Sequence, residues 1–140
     1  NPTWKLLVRA ADYVSNEDVG VLLAEAARRL QAGRTVVIFP EGTRVPAGET
    51  RRYGLSGVLL AQEAGRLLLP VAHDAGDYWP RRGWVKQPGT VTFRIGLPVD
   101  PAGRDPRQVN EEIQAWVEDQ VTGMRAARYP GSPPPAHCAR

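Results

Sequence analysis

Glu41, Thr43 and Arg44 stand almost side by side, separated only by Gly42, directly after the apolar stretch Thr35-Val36-Val37-Ile38 and the pair Phe39-Pro40. A carboxylate, a hydroxyl and a guanidinium fixed where a strand ends can recognise a phosphomonoester. Arginine grips such a dianion with a planar, permanently charged fork, often bidentately. Thr43 can add a hydroxyl donor, and Gly42 allows close backbone approach or a positive φ. Glu41 cannot bind phosphate itself; it is expected to hold Arg44 or to accept from a substrate hydroxyl. Gly54 and Gly57 are expected to open the following helix, whose first amides would form a further anion site. His73, with Asp74 and Asp77 nearby, is a candidate general base. The plainer reading makes it a hydrogen-bonded structural histidine.

The elements that must position these groups read as an α/β domain. Residues 1–14 could be strand or helix. Ser15 to Asp18 carries a helix start, a capping hydroxyl with a carboxylate three residues on. Val19, Leu22, Leu23, Ala26, Ala27 and Leu30 recur at helical spacing. Arg28 and Arg29 suit the helix C-terminus, and Gly33 closes it. Thr35 to Phe39, β-branched and apolar without alternation, predicts a strand buried on both faces, as in a parallel sheet. Pro46 to Thr50 is a loop, and Leu55 to Ala64 a short helix with Leu55, Val58 and Leu59 inward, ended by Gly65. Leu67 to His73 predicts a second buried strand, parallel to the first through a crossover. In such sheets ligands bind beyond the carboxyl ends of the strands, so Glu41, Arg44, His73 and Asp74 are expected on one sheet edge.

A long loop from Asp74 to Gly89 follows. Its Tyr78, Trp79, Trp84 and basic residues suit either a membrane interface or packing on the core. Thr90 to Ile95 alternates as a third strand. Asp105-Pro106-Arg107-Gln108 is a strong helix start, with Val109, Ile113, Trp116, Val117 and Val121 on its inner face. From Gly123 the chain turns polar, then Pro-rich. The expected organisation is an uncertain segment 1–14, a domain 15–122 and a disordered tail 123–140.

Composition narrows the classes. Of 140 residues, 42% are hydrophobic, enough for one core, and the formal net charge is +3. That balance, carried almost wholly by Arg, suits anionic partners, or reflects an Arg-rich composition alone. The basic residues are scattered without a nucleic-acid motif, so no nucleic-acid partner is expected. No apolar run approaches the roughly 20 residues of a membrane-spanning helix. The single cysteine, Cys138, leaves neither a disulfide framework nor a cysteine metal site, and no metal or cofactor is expected.

The run Phe39-Pro40-Glu41-Gly42-Thr43-Arg44 resembles the phosphate-docking motif of the glycerolipid acyltransferases. Leu69-Pro70-Val71 resembles the family's later strand with a central Pro. Pro70-Val71-Ala72-His73, Tyr78-Trp79-Pro80-Arg81-Arg82-Gly83 and Pro88-Gly89-Thr90 resemble the bacterial 1-acyl-sn-glycerol-3-phosphate acyltransferases. The likeness covers most of residues 8–122. It implies part of a glycerolipid-acyltransferase domain, a mostly parallel sheet flanked by helices. It implies that Glu41, Gly42, Thr43 and Arg44 bind the acceptor phosphate, and that Phe39, Pro40, Pro70 and Val71 wall the pocket.

The implied reaction moves a fatty acyl group from a thioester on coenzyme A or acyl carrier protein to the sn-2 hydroxyl of lysophosphatidic acid, giving phosphatidic acid. The implied setting is the cytoplasmic face of the cell membrane, peripheral or anchored by a missing N-terminus. The family's base is a His followed five positions later by Asp. Here Tyr78 stands at that distance from His73, and His137 is followed only by Cys138-Ala139-Arg140. The resemblance places the pair before Asn1, so no catalytic residue is expected in this chain, His73 being the fallback, and residues 1–140 are expected to be inactive alone. A second family block, expected near Ala10-Ala11-Asp12, does not match; its Arg is absent unless Arg9 substitutes. The alternative is a non-catalytic phosphate- or lipid-binding remnant.

Overall fold

The computed structural model describes residues 19–80 and 86–131. The expectations for residues 1–18, for Arg81 to Val85 and for the tail from Ser132 lie outside the described residues. The chain divides into two compact units, Asn1–Val37 and Ile38–Arg140.

In the first unit, helix α1 spans Val19–Gln31. Among the residues expected on its apolar face, Ala26 is buried and Leu23, Ala27 and Leu30 are half-buried; the side chains of Val19 and Leu22 lie outside the described set. Val21, on the opposite face, is exposed. Glu25 joins Arg28 and Arg29 through i,i+3 and i,i+4 ion pairs at 2.7 and 2.8 Å. The helix closes as expected at Gly33, with Arg34 N–H donating to Arg29 O and Gly33 N–H to Leu30 O.

The strand expected over Thr35 to Phe39 does not form. The segment adopts no regular secondary structure, and Val37, Ile38 and Phe39 are exposed. A β-branched apolar run becomes a buried strand only where another strand pairs with it, and among the described residues none does.

The second unit is built on one long helix. Helix α2 is Ser56–Ala64, β1 is Val71–His73, α3 is Ala75–Tyr78, β2 is Phe93–Ile95 and α4 is Pro106–Arg128. β1 and β2 pair antiparallel, Val71 opposite Ile95 and His73 opposite Phe93. A bridge between Leu68 and Val99 continues the ladder. The expected parallel pairing is not found among the described residues. α4 packs against β1 and α2, and Val109, Met124, Ala72, Val58, Leu60 and Ala61 form the core.

Because α4 covers one face of the pair only, Leu67 to His73 is not buried on both faces. Pro70 and Ala72 are buried, whereas Leu69 and Val71 are exposed. In α2, Val58 points inward as expected and Leu59 does not; Leu60 takes its place. Gly65 ends the helix at φ 60°, where its N–H reaches Ala61 O and Gln62 O. The capping of α4 is as read: Asp105 Oδ1 accepts from Arg107 N–H at 2.8 Å, with Pro106 in the first turn. The helix runs past Gly123 to Arg128, and Met124 is buried. Residues 123–128, expected to belong to the tail, are thus helical, and an apolar contact holds this further turn.

Candidate phosphate-recognition site

Glu41, Gly42, Thr43 and Arg44 occupy a tight turn. Gly42 N–H donates to Phe39 O at 3.1 Å, and Gly42 adopts φ 66°. A side chain there would be strained, so glycine is required. The turn is tied down from behind. Gly54 N–H donates to Pro40 O at 2.8 Å. A Cβ at Gly57 would lie 3.6 Å from Ile38 Cδ1, so Ile38 rests on the first turn of α2. The Gly54 amide is thereby committed to Pro40, and the helix itself begins two residues on, at Ser56.

The decisive anchor was not visible in the sequence. Tyr53 is buried, and its side chain hydrogen-bonds Glu41. α4 clamps the same residue by its main chain. Asn110 Nδ2 donates to Tyr53 O at 3.1 Å, and Tyr53 N–H donates to Gln114 Oε1 at 3.1 Å. Gln114 Nε2 also reaches Arg51 O at 3.2 Å. Burial, then the charges of Glu41 and Glu118 and the bond to Glu41, push the Tyr53 phenol pKa up. Glu41 thus has a protein partner beyond the two roles read from sequence. The available signal was the i,i+4 spacing of Asn110 and Gln114, two amides on the face of a helix that also carries Val109 and Ile113.

Arg44 is exposed at the end of this anchored turn, and Thr43 is half-buried. Phe39 is exposed, Pro40 half-buried, Pro70 buried and Val71 exposed. The loop after Arg44 meets the helix after His73: a Cβ at Gly76 would lie 3.7 Å from the Ala47 Cβ. The two candidate segments are therefore neighbours.

His73 is half-buried, and its ring centroid lies 5.6 Å from that of Phe93. Its Nδ1 accepts from Ala75 N–H at 3.3 Å. A neutral imidazole accepting at Nδ1 carries its proton on Nε2, so the remaining nitrogen is a donor. Asp74 Oδ1 accepts from Thr92 N–H at 2.7 Å, and Asp77 pairs with Arg125. The histidine and its neighbouring acids are arranged as structural groups. Tyr78, from the aromatic segment, stacks under Arg128, whereas Trp79 is exposed with Lys86 Nζ 3.9 Å above its ring.

A family model described as Acyltransferase matches residues 4–74, which include the whole turn and His73. The 1-acyl-sn-glycerol-3-phosphate acyltransferase of Pseudomonas aeruginosa is 44% identical over 125 residues, covering 84% of this chain and 49% of that protein. The crystal structure of the 1-acyl-sn-glycerophosphate (LPA) acyltransferase PlsC from Thermotoga maritima superposes with a TM-score of 0.69 at 31% identity, over 74% of this chain and 44% of that one. The chain thus spans about half the length of these relatives. A glycine-dependent turn bearing Glu41, Thr43 and Arg44, inside a stretch that the family model matches and a fold shared with a solved relative, places this chain in the acyltransferase family.

Proposed function

We propose that the chain is part of an enzyme that transfers a fatty acyl group from a coenzyme A or carrier-protein thioester to the sn-2 hydroxyl of lysophosphatidic acid, forming phosphatidic acid. The observation that carries this reading is the anchored turn with an exposed Arg44, in a chain 44% identical to the Pseudomonas acyltransferase. Arg44 and Thr43 take the acceptor phosphate, and Glu41, held by Tyr53, sets their position. Phe39, Pro40, Pro70 and Val71 line the acceptor's path.

The attacking hydroxyl must lose its proton as the thioester carbonyl is attacked. The His73 imidazole is poorly disposed for this, since its acceptor nitrogen is engaged. The base is a His-x4-Asp pair of the longer protein. In that longer protein the segment 35–39 pairs into a mostly parallel sheet, which its exposed apolar side chains favour. No helix among the described residues is long and apolar enough to cross a membrane. The enzyme works at the cytoplasmic face of the cell membrane, where its lipid substrate resides.

The test is thioester release in the presence of lysophosphatidate, beside direct titration with the same lipid. Residues 1–140 should bind lysophosphatidate without turnover, and Arg44→Ala should weaken binding about ten- to a hundredfold, on the scale of one or two charge-assisted hydrogen bonds. Turnover by 1–140 that His73→Ala abolishes would overturn the assignment of the base. Binding by a longer form carrying the His-x4-Asp pair, with no turnover, would instead make the protein a lipid-binding remnant.

A further inference from the structure

Strand β2, helix α3 with its cap Asp74, and the last turns of α4 border an open hollow of about 450 Å³ that the acyl-transfer reading does not use. Asp74, Tyr78, Thr92, Arg94, Met124 and Arg128 line it, all within the unit 38–140. The hollow follows from helical period. Gln120, Gly123, Met124, Ala127 and Arg128 share one face of α4, and Gly123 and Ala127 have too little side chain to fill it. A Cβ at Gly123 would sit 3.5 Å from Arg94 Nη1. The Arg94 guanidinium thus lies along the helix in ordinary contact distance, and its Nη1 donates to Gln120 Oε1 at 3.0 Å.

Arg128 is the telling residue. Its guanidinium carbon stands 3.8 Å from the centroid of the Tyr78 ring and 5.3 Å from that of Tyr129. Stacking uses the flat face of the group and leaves its in-plane N–H bonds for an acceptor. Arg128 Nη1 is buried and meets no acceptor among the described residues. An unmet N–H on a buried nitrogen is unfavourable and calls for a partner, even where the residue as a whole is half-buried. The nearby carboxylates are engaged elsewhere: Asp74 Oδ1 takes the Thr92 amide, and Asp77 pairs with Arg125. Two guanidinium groups against the single lining carboxylate of Asp74 leave the hollow with a formal charge of one positive. That complements a singly charged oxyanion.

We propose that this hollow binds a phosphodiester, with Arg128 and Arg94 donating to its non-bridging oxygens and the Thr92 hydroxyl beside them. It is separate from the Arg44 turn and does not depend on the acyl-transfer reading. The phosphodiester is either a lipid headgroup or part of a soluble molecule, and the test distinguishes them.

The chain 1–140, labelled with 15N, would be titrated with soluble glycerophosphoglycerol while the Arg Nε–Hε signals are followed. In parallel it would be titrated with phosphatidylglycerol vesicles against vesicles of a neutral glycolipid. The expected result is a saturable shift of the Arg128 and Arg94 signals. Arg128→Gln should weaken binding at least tenfold, and so should Ala127→Leu, which fills the hollow without changing its charge. Saturation by the soluble diester assigns a soluble ligand, and saturation by vesicles alone assigns a headgroup. If Arg128→Gln does not fold, Ala127→Leu and Arg94→Gln carry the same comparison. Signals unmoved by both probes, or variants that bind as tightly as the original chain, overturn the proposal and leave water as the partner of Nη1.

Discussion

Tyr53 is the joint between the Glu41–Arg44 turn and the body of its unit. Its phenol holds Glu41, and its peptide group is held by Asn110 and Gln114 of α4. Its pKa is raised in the fold, first by burial and then by Glu41 and Glu118. A group whose folded pKa exceeds its unfolded value keeps its proton longer in the folded state. Its stabilising effect is intact below the unfolded value, about 10 for tyrosine, and is lost as pH rises beyond it toward the folded pKa. Denaturant melts from pH 7 to 11 should therefore show stability falling above about pH 10. Tyr53→Phe should cost about 1–3 kcal/mol at pH 7, as for a buried bond to a charged acceptor, and should flatten that alkaline fall. An unchanged alkaline limb in the variant would assign the fall to other tyrosines. The same variant should also weaken lysophosphatidate binding severalfold, because Glu41 loses its support.

Among the elements, α4 does most of the positioning. Asp105 and Pro106 start it, Val109 and Met124 bury it, and Asn110, Gln114 and Gln120 reach other segments. Its last turn distinguishes a packed helix from a tail. Met124→Ala should lower stability by about 2–5 kcal/mol, the range for truncating a buried large side chain, and a chemical melt showing no change would restore the tail reading. Helix α1 has an electrostatic signature. Arg28 and Arg29 hold the Glu25 carboxyl at about 2, below its ordinary 4.5. A folded pKa lowered in this way gives support that is complete above the unfolded value and is lost as pH falls toward about 2. Helicity of α1, followed by NMR shifts of residues 19–31 between pH 6 and 2, should decline over that window, and Glu25→Gln should remove most of the decline. A decline of the same size in the variant would mean that the ion pairs contribute nothing.

At the scale of the unit 38–140, the two-stranded sheet has one covered face and one open face. Ala72 and Arg94 face α4, while Val71, Phe93 and Ile95 turn away and are exposed, Ile95 by 67%. Side chains of this kind gathered on one surface seldom stay in water in a stable monomer. Residues 1–140 alone are therefore expected to bind a hydrophobic dye and to self-associate at micromolar concentration, and Phe93→Ser with Ile95→Ser should reduce both. Sedimentation showing a dye-negative monomer for the original chain would refute this. Helix content, by contrast, should survive the double substitution, because α4 packs on the opposite face.

The sequence alone determined the features whose causes are local. The Asp105 cap, the Gly33 and Gly65 closures, the Gly42 turn and the existence of α1, α2 and α4 each follow from a residue type and its near neighbours. The turn from Glu41 to Arg44 was legible for the same reason: residues that share one turn need no distant partner to be brought together. What depended on distant residues was decided only by the tertiary structure. Thr35 to Phe39 and Leu67 to His73 have the composition of doubly buried strands, yet burial depends on what packs against them. The anchoring of Glu41 by Tyr53 and the meeting of Arg94 with Arg128 around one hollow join residues far apart in the chain. No spacing rule reports such contacts, because packing against α4 creates them.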